Sequence, residues 1–228
     1  MSQKLKSVLI CIIGIDGSGK TSVSKLLIDQ LNKNALNFHY AYGRLRPILS
    51  KPIIRIGNFL YLKDQDIFRD YNSFINKKKE VMNASNILTK LYVLTILFDN
   101  ILQITFKISL GLKKKNLICD RYIYDTLITD IYPYFDIMDQ NFYAIINKLL
   151  TLIPKPAMTF LIDVDPIIAF KRKNDIPSLD YLSERRKLYL ELAKKSGMII
   201  INGNRSLEII TNDIFKIICR RIDLCQSN

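Results

Sequence analysis

The residues of this chain best suited to chemistry lie close together near its beginning. Gly14-Ile15-Asp16-Gly17-Ser18-Gly19-Lys20-Thr21 fits the pattern G-x-x-x-x-G-K-[ST]. Glycines at these positions let successive backbone N–H groups curl around an anion, and the start of a following helix adds partial positive charge. Lys20 can then reach the outer phosphates of ATP or GTP, and the Thr21 hydroxyl can bind Mg²⁺. A second group, Asp120-Arg121-Tyr122, follows the short run Asn116-Leu117-Ile118-Cys119. A carboxylate at such a strand end can orient Mg²⁺ as partner of the loop hydroxyl, usually through water. The neighbouring arginine offers a planar donor fork suited to a second phosphate.

These groups need a frame that brings them together. Val8 to Ile13 is continuously apolar and rich in β-branched residues, as in a strand buried on both faces of a parallel sheet. After the loop, Val23, Leu26, Leu27 and Leu31 recur at helical spacing. Five runs read as strands, Ser7 to Ile13, Asn37 to Tyr42, Leu117 to Cys119, Met158 to Ile162 and Met198 to Ile201, with helical patterns between them. Such alternation predicts an α/β fold, a five-stranded parallel sheet with helices on both faces, and ligands beyond the carboxyl ends of the strands. The long stretch from Gly43 to Asn116 is punctuated by Pro47, Pro52 and Gly57, and is suited to form the wall of an acceptor pocket. A last helix from Ser206 to about Ile222 carries Leu207, Ile210, Ile214, Ile217 and Ile218 on one face.

With 228 residues, 49% of them hydrophobic, and no repeat or long linker, the chain reads as a single domain, 1–228. Cys11, Cys119, Cys219 and Cys225 form no C-x-x-C pair, which predicts reduced thiols and a cytoplasmic protein. The 34 Lys and Arg against 21 Asp and Glu give a formal charge of +13, which favours anionic ligands. Lys77-Lys78-Lys79 and Lys113-Lys114-Lys115 read as solvated surface charge, and with no nucleic-acid module in view no nucleic-acid partner is expected. Lys4 and Lys6 precede an apolar run, but it is short and enters the loop without a cleavage site, so a strand is expected rather than a signal peptide. Asp99, Asn100, Gln103 and Lys107 interrupt Leu91 to Leu110, which predicts a buried helix or an oligomer interface instead of a membrane span. His39, inside a strand, reads as a packed or hydrogen-bonded side chain.

The phosphate loop followed by Asp120-Arg121-Tyr122 resembles the thymidylate kinase family of nucleoside monophosphate kinases. Phe160-Leu161-Ile162-Asp163-Val164-Asp165-Pro166 and a helix over Ile167 to Lys173 look like that family's fourth strand and the start of its lid. Arg185-Arg186-Lys187-Leu188-Tyr189, Ile199 to Asn202 and the final helix are similar to its C-terminal third. The resemblance implies a P-loop kinase fold with a lid at about 170–186 and a possible homodimer. It implies ATP held by Gly14, Gly17, Ser18, Gly19, Lys20, Thr21 and Ser22, and Mg²⁺ held by Thr21 and Asp120. Asp16 would face the acceptor and bond a sugar hydroxyl, Arg44 or Arg46 would hold the acceptor phosphate, and Asp120, Arg121, Tyr122 and Tyr124 would line the acceptor side. The loop holds no arginine between Asp16 and Lys20, and in the family such loops go with a basic lid. Lys171-Arg172-Lys173 occupies that stretch, so Arg172 joins Lys20, Asp16 and Arg121 as a candidate catalytic group that also meets ATP. Asn202-Gly203-Asn204-Arg205 resembles the region that contacts adenine.

The acceptor side departs from the family pattern. Tyr42-Gly43-Arg44-Leu45-Arg46-Pro47 stands where an Arg-Glu-Pro-Gly-Gly or Phe-Pro-Glu-Arg type of segment is usual, and Asn100 stands near the place of an arginine that contacts thymine. Ile123 to Asp130 replaces a glycine-rich stretch, with Tyr124 and Asp125 one to two turns from Arg121 as pocket candidates. The expected reaction is ATP-dependent phosphoryl transfer to a nucleoside monophosphate, with dTMP to dTDP as the leading case. Two alternatives stay open: a kinase of another phosphorylated metabolite or sugar, and a nucleotide-binding regulatory module without turnover.

Overall fold

The computed structural model describes residues 7–44, 48, 50–61, 67–131 and 140–226. The apolar run before the loop is β1 (Leu9–Ile13), buried at all five positions. The loop leads into α1 (Lys20–Lys33), which starts from Gly19 at φ 86°, a left-handed conformation that glycine adopts without steric cost. β2 (Phe38–Tyr42) follows, then α2 (Lys51–Tyr61), α3 (Tyr71–Ala84) and α4 (Asn86–Ile104). Asp70 and Ser85 cap α3 and α4 by accepting from the N–H groups of Ser73 and Leu88. A π-helical turn, Thr105–Ser109, carries α4 on into α5 (Leu110–Leu112).

β3 (Asn116–Asp120) ends on the carboxylate itself, one residue beyond the apolar run that predicts it. After it come α6 (Ile123–Thr126), a π-helical turn Leu127–Ile131, α7 (Gln140–Leu150) and β4 (Met158–Asp163). The chain closes with α8 (Pro166–Lys171), α9 (Leu179–Ser196), β5 (Ile199–Asn202) and α10 (Leu207–Gln226).

All strand pairs are parallel, in the order β2-β3-β1-β4-β5. β1 is therefore central, flanked by β3 on one side and β4 on the other. The chain leaves this centre at a topological switch point, where a crevice opens at the carboxyl edge. In the register Ile12 lies opposite Asp120 and Phe160, so the loop, Asp120 and the end of β4 emerge side by side. Alternate residues of β1 face opposite layers. Ile10 and Ile12 pack with Val23, Leu27 and Leu31 of α1 and Ile210, Ile214 and Ile218 of α10. Leu9 and Cys11 pack with Val93, Leu97, Ile101, Ile104 and Ile108. The helix from Asn86 to Leu112 is long and apolar enough to cross a membrane, yet its inward stripe forms this second core.

The stretch expected as a lid, about 170–186, contains the end of one helix and the start of the next. α8 ends at Lys171, and Ser178 caps α9 by accepting from the Tyr181 N–H, which leaves 172–178 as the connecting loop. Tyr181, Leu182, Arg185 and Tyr189 are buried at helical spacing, and that burial holds the first turns of α9 against the body of the protein.

Candidate active site

The phosphate loop is shaped by contacts only glycine permits. Gly17 has φ 80°, and a Cβ there would collide with the Ala169 carbonyl of α8. Gly14 has φ 150°, and a Cβ there would sit 2.6 Å from the Ile162 carbonyl oxygen of β4. The loop is thus fitted against the end of β4 and the helix beyond it. Within it the Lys20 side chain is buried, its Nζ donating to the carbonyls of Gly14 at 2.8 Å and Ile15 at 2.5 Å and to Ser18 Oγ at 3.3 Å. Burial, with the Arg121 charge, lowers the Lys20 amine to about 8 against the opposing pull of Asp125, Asp16 and Asp120.

That lowered value has two consequences. The unfolded chain binds more protons than the native one between about pH 8 and the ordinary lysine value near 10.5, so this group makes native stability rise with pH across that window. Over the same range Lys20 loses its charge in the free enzyme. We expect kcat/KM for ATP to fall along an alkaline limb with an apparent pKa near 8, because this ratio reports free-enzyme groups. A profile flat to about pH 10 contradicts the assignment of Lys20 to the phosphates.

Asp120 is fully buried beside the loop. Its Oδ2 accepts from Thr21 Oγ1 at 2.6 Å and from the Tyr40 hydroxyl at 2.9 Å. Its Oδ1 is buried with no hydrogen-bond partner among the described residues. A hard oxygen left without a partner next to a hydroxyl at the end of a phosphate loop is the donor set a divalent cation takes.

Arg121 is one of few non-glycine residues in the left-handed region, at φ 69°. That turn directs its guanidinium to two carboxylates, Asp16 Oδ1 at 2.6 Å and Asp125 Oδ2 at 2.7 Å. Asp125 is fully buried and also accepts from the Tyr189 hydroxyl, while the Tyr181 hydroxyl lies 3.4 Å from Asp16 Oδ2. Burial alone would raise the Asp16 carboxyl, but the charges of Arg121 and Lys20 outweigh it and hold Asp16 well below the usual carboxylate range. Arg44, half-buried after β2, lies in the field of Arg121, Asp130, Asp125 and Tyr181, and the carboxylates keep it firmly charged despite burial. Asp16, Lys20, Thr21, Arg44, Asp120 and Arg121 are therefore gathered at one end of the sheet.

Other residues singled out from sequence stand elsewhere. Tyr122 is 1% exposed, and its hydroxyl donates to the Pro154 carbonyl at 2.7 Å. The left-handed turn at Arg121 parts the two side chains, Arg121 toward the loop and Tyr122 into the second core, so Tyr122 does not line an acceptor pocket. Tyr124 is half-buried, its ring 5.9 Å from that of Tyr122 and its hydroxyl bonded with Thr159 of β4, which turns it toward the sheet. Asn100 is buried and occupied, donating to the Ile96 carbonyl and accepting from Thr126. Ser22, Lys171, Arg172 and Lys173 are exposed, and Lys173 pairs with Asp175 at 2.9 Å. Asn202 to Arg205 form an internally bonded turn in which Asn204 Oδ1 accepts from the Asp165 N–H and Arg205 pairs with Asp213. Arg46 lies outside the described residues.

Several groups at the site escape sequence reasoning. Tyr189 and Tyr181 reach Asp125 and Asp16 across long stretches of chain. Arg186 grips Asp163, the last residue of β4, through two hydrogen bonds at 2.6 and 2.9 Å. Asp99 accepts from the backbone N–H groups of Ile48 and Ser50 and from the Ser50 hydroxyl, tying the segment after Arg44 to α4. The usable signal was the four-residue repeat Tyr181, Arg185, Tyr189, which marks one side of α9.

The family model described as thymidylate kinase matches residues 70–214. A probable thymidylate kinase of Methanocaldococcus jannaschii is 30% identical over 214 residues, covering 91% of this chain and 94% of that protein. Probable thymidylate kinases of Staphylothermus marinus and Sulfolobus acidocaldarius are 28% and 27% identical, each covering 92% of this chain and 93% and 95% of their own lengths. A phosphate loop, a buried acidic strand end with its arginine, and similarity over nearly the whole length converge on one conclusion: the chain belongs to the thymidylate kinase family of nucleoside monophosphate kinases.

Proposed function

We propose that the protein transfers the γ-phosphoryl group of ATP to dTMP, giving dTDP and ADP. The observation that carries this reading is the position of Arg121, a guanidinium held between Asp16 and Asp125 directly beside the phosphate loop. Two anionic substrates can meet there, one in the loop and one at Arg121. The acceptor's phosphate oxygen is already ionised near neutral pH, so the site needs no strong general base, and alignment with charge stabilisation suffices. The loop N–H groups from Gly14 to Thr21 would hold the donor phosphates, and Lys20 would exchange its loop carbonyls for their oxygens. Thr21 and Asp120 would hold Mg²⁺, which neutralises charge on the reacting phosphates when bound. Arg44 and Arg121 would take the acceptor phosphate, freeing Asp16 to accept from a sugar hydroxyl. Arg172 and Lys173 at the start of the 172–178 loop, with Lys171 at the end of α8, would close over the transferring group.

Coupled measurement of ADP release over a panel of nucleoside monophosphates and phosphorylated sugars tests the reading. Turnover stimulated by dTMP is expected. Turnover only with a non-pyrimidine phosphate would reassign the acceptor, and ATP binding without turnover on any acceptor would reduce the protein to a regulatory module.

The outer face of α4 supports a homodimer. Ile87, Leu91 and Phe98, with Phe106 and Leu110 beyond them, are all more than half exposed and recur every four to eight residues along one continuous helical rod. A soluble chain that leaves such a stripe open favours pairing with a second copy. Light scattering should give about twice the 26.5 kDa chain mass, and Phe98→Glu should shift it to monomer. A monomeric wild-type protein at every concentration tested contradicts the dimer.

A further inference from the structure

α9 presents Tyr181, Arg185 and Tyr189 at four-residue steps, so they share one side of the helix. The two tyrosines serve Asp16 and Asp125. Arg185, between them, is 5% exposed, and its guanidinium lies 5.0 Å from the centre of the Tyr181 ring. Its hydrogen bond to the Thr129 carbonyl is long, 3.4 Å, and its Nε–H is buried with no acceptor among the described residues. A buried guanidinium donor without an acceptor carries the full cost of desolvation, and such groups are rare unless something else satisfies them in the working state.

The surroundings indicate what could do so. Thr129 lies one helical turn beyond Asp125, about 6 Å along the axis, in the π-helical turn after α6. Asp130, the next residue, is half-buried and accepts from the Thr129 hydroxyl at 2.9 Å. Its charge also reaches Arg44, Lys78 and Tyr92, from three other segments. The segment from Arg121 to Ile131 therefore has a phosphate-binding end at Arg121 and Asp125. One turn outward it has a second polar end, where Arg185 meets the Thr129 carbonyl, Asp130 is the next residue, and the charges of both act on Lys78.

An acceptor nucleotide with its phosphate at Arg121 and its base directed outward brings the edge of the base to that pair. The edge of thymine or uracil offers a carbonyl oxygen next to a ring N–H, the complement of a guanidinium beside a carboxylate. Cytosine offers the reverse, an amino group next to a bare ring nitrogen. We propose that Arg185 and Asp130 are the specificity-determining pair for the acceptor base, selecting a keto–imide pyrimidine over an amino-pyrimidine. This rests on the reading of the site as a nucleoside monophosphate kinase.

Steady-state kinetics of the full chain at saturating ATP, with dTMP and dCMP compared, tests the pair. Arg185→Leu should raise KM for dTMP about tenfold to hundredfold and shrink the preference for dTMP over dCMP by a similar factor, because a site built to bond a polar edge loses discrimination with its donor. Its kcat should stay within about threefold and its KM for ATP should not move, the pattern of lost acceptor binding alone. Arg185→Lys should keep the charge without restoring the preference, since an ammonium lacks the planar fork. Asp130→Asn, at a half-buried position, should move the preference toward dCMP by about tenfold, the amide N–H now facing the bare ring nitrogen. Folded Arg185→Leu and Asp130→Asn proteins with unchanged KM for dTMP and an unchanged dTMP to dCMP ratio overturn the proposal. If Arg185→Leu fails to fold, Asp130→Asn decides alone. Wild-type protein inert toward every nucleoside monophosphate would overturn both this pair and the kinase reading, whereas active wild type with unaltered variants overturns the pair only.

Discussion

Lys20→Ala is expected to lower kcat by about 10²–10³-fold with every acceptor, the loss typical of one preorganised cation or donor at the position where charge develops. The native structure holds the amine within the loop, on the Gly14 and Ile15 carbonyls and Ser18, so it is in place before substrate arrives. The substitution removes a buried amine whose charged form burial already disfavours, so stability should change little while turnover collapses. Kinetics with two different acceptors, together with urea unfolding, separates these effects. A loss confined to one acceptor would place Lys20 on the wrong substrate.

Arg121→Ala acts on the other substrate and on the fold at once. The guanidinium pairs with Asp16 and the fully buried Asp125, and removing it leaves Asp125, among the described residues, with the Tyr189 hydroxyl and the more distant charges of Lys20 and Arg44. Stripping one partner from a buried ion pair costs about 3 kcal/mol or more, so urea unfolding at pH 7 should register a loss of that order. Asp16 adds a pH signature. Because its native carboxyl is held below the ordinary value, its stabilising contribution is fully present above the unfolded carboxylate pKa near 3.9 and fades as pH falls toward the native value. The stability gap between wild type and Arg121→Ala should therefore narrow from about pH 5 downward. Adding Asp125→Asn to Arg121→Ala removes the orphaned charge and should restore part of the stability. Acceptor KM should remain raised in both variants. Recovery of acceptor binding in the double variant would show that Arg121 is structural rather than a phosphate ligand.

The parts of this molecule that are local in the chain are the parts legible in its sequence. Continuous apolar runs mark β1 and β4 as doubly buried strands, and the phosphate loop is legible because its chemistry needs particular residues at adjacent positions. Asp120 and Arg121 follow from their place at a strand end. Strand order is another matter: that β1 lies between β3 and β4 follows from long crossovers and could be expected only as a class of topology. Tyr122 shows where adjacency misleads, since a left-handed turn at Arg121 sends consecutive side chains to different places. Tyr124 is drawn to Thr159 on β4, a neighbour no local pattern announces. The support of the site is long-range throughout. Tyr189 reaches Asp125, Arg186 reaches Asp163 and Asp99 holds the segment after β2, each pairing set by helix packing rather than spacing. The start of α9 does have a local cause, the Ser178 cap on the Tyr181 N–H.

In the proposed reaction one site brings a loop-bound triphosphate to the phosphate of dTMP. Phosphorus NMR of a single mixture of protein, ATP, Mg²⁺ and dTMP follows donor and acceptor together. The dTMP resonance should be replaced by the two coupled resonances of dTDP as ADP accumulates in equal amount, and Lys20→Ala should slow both changes together. ADP accompanied by free phosphate, with dTMP unconsumed, would contradict it.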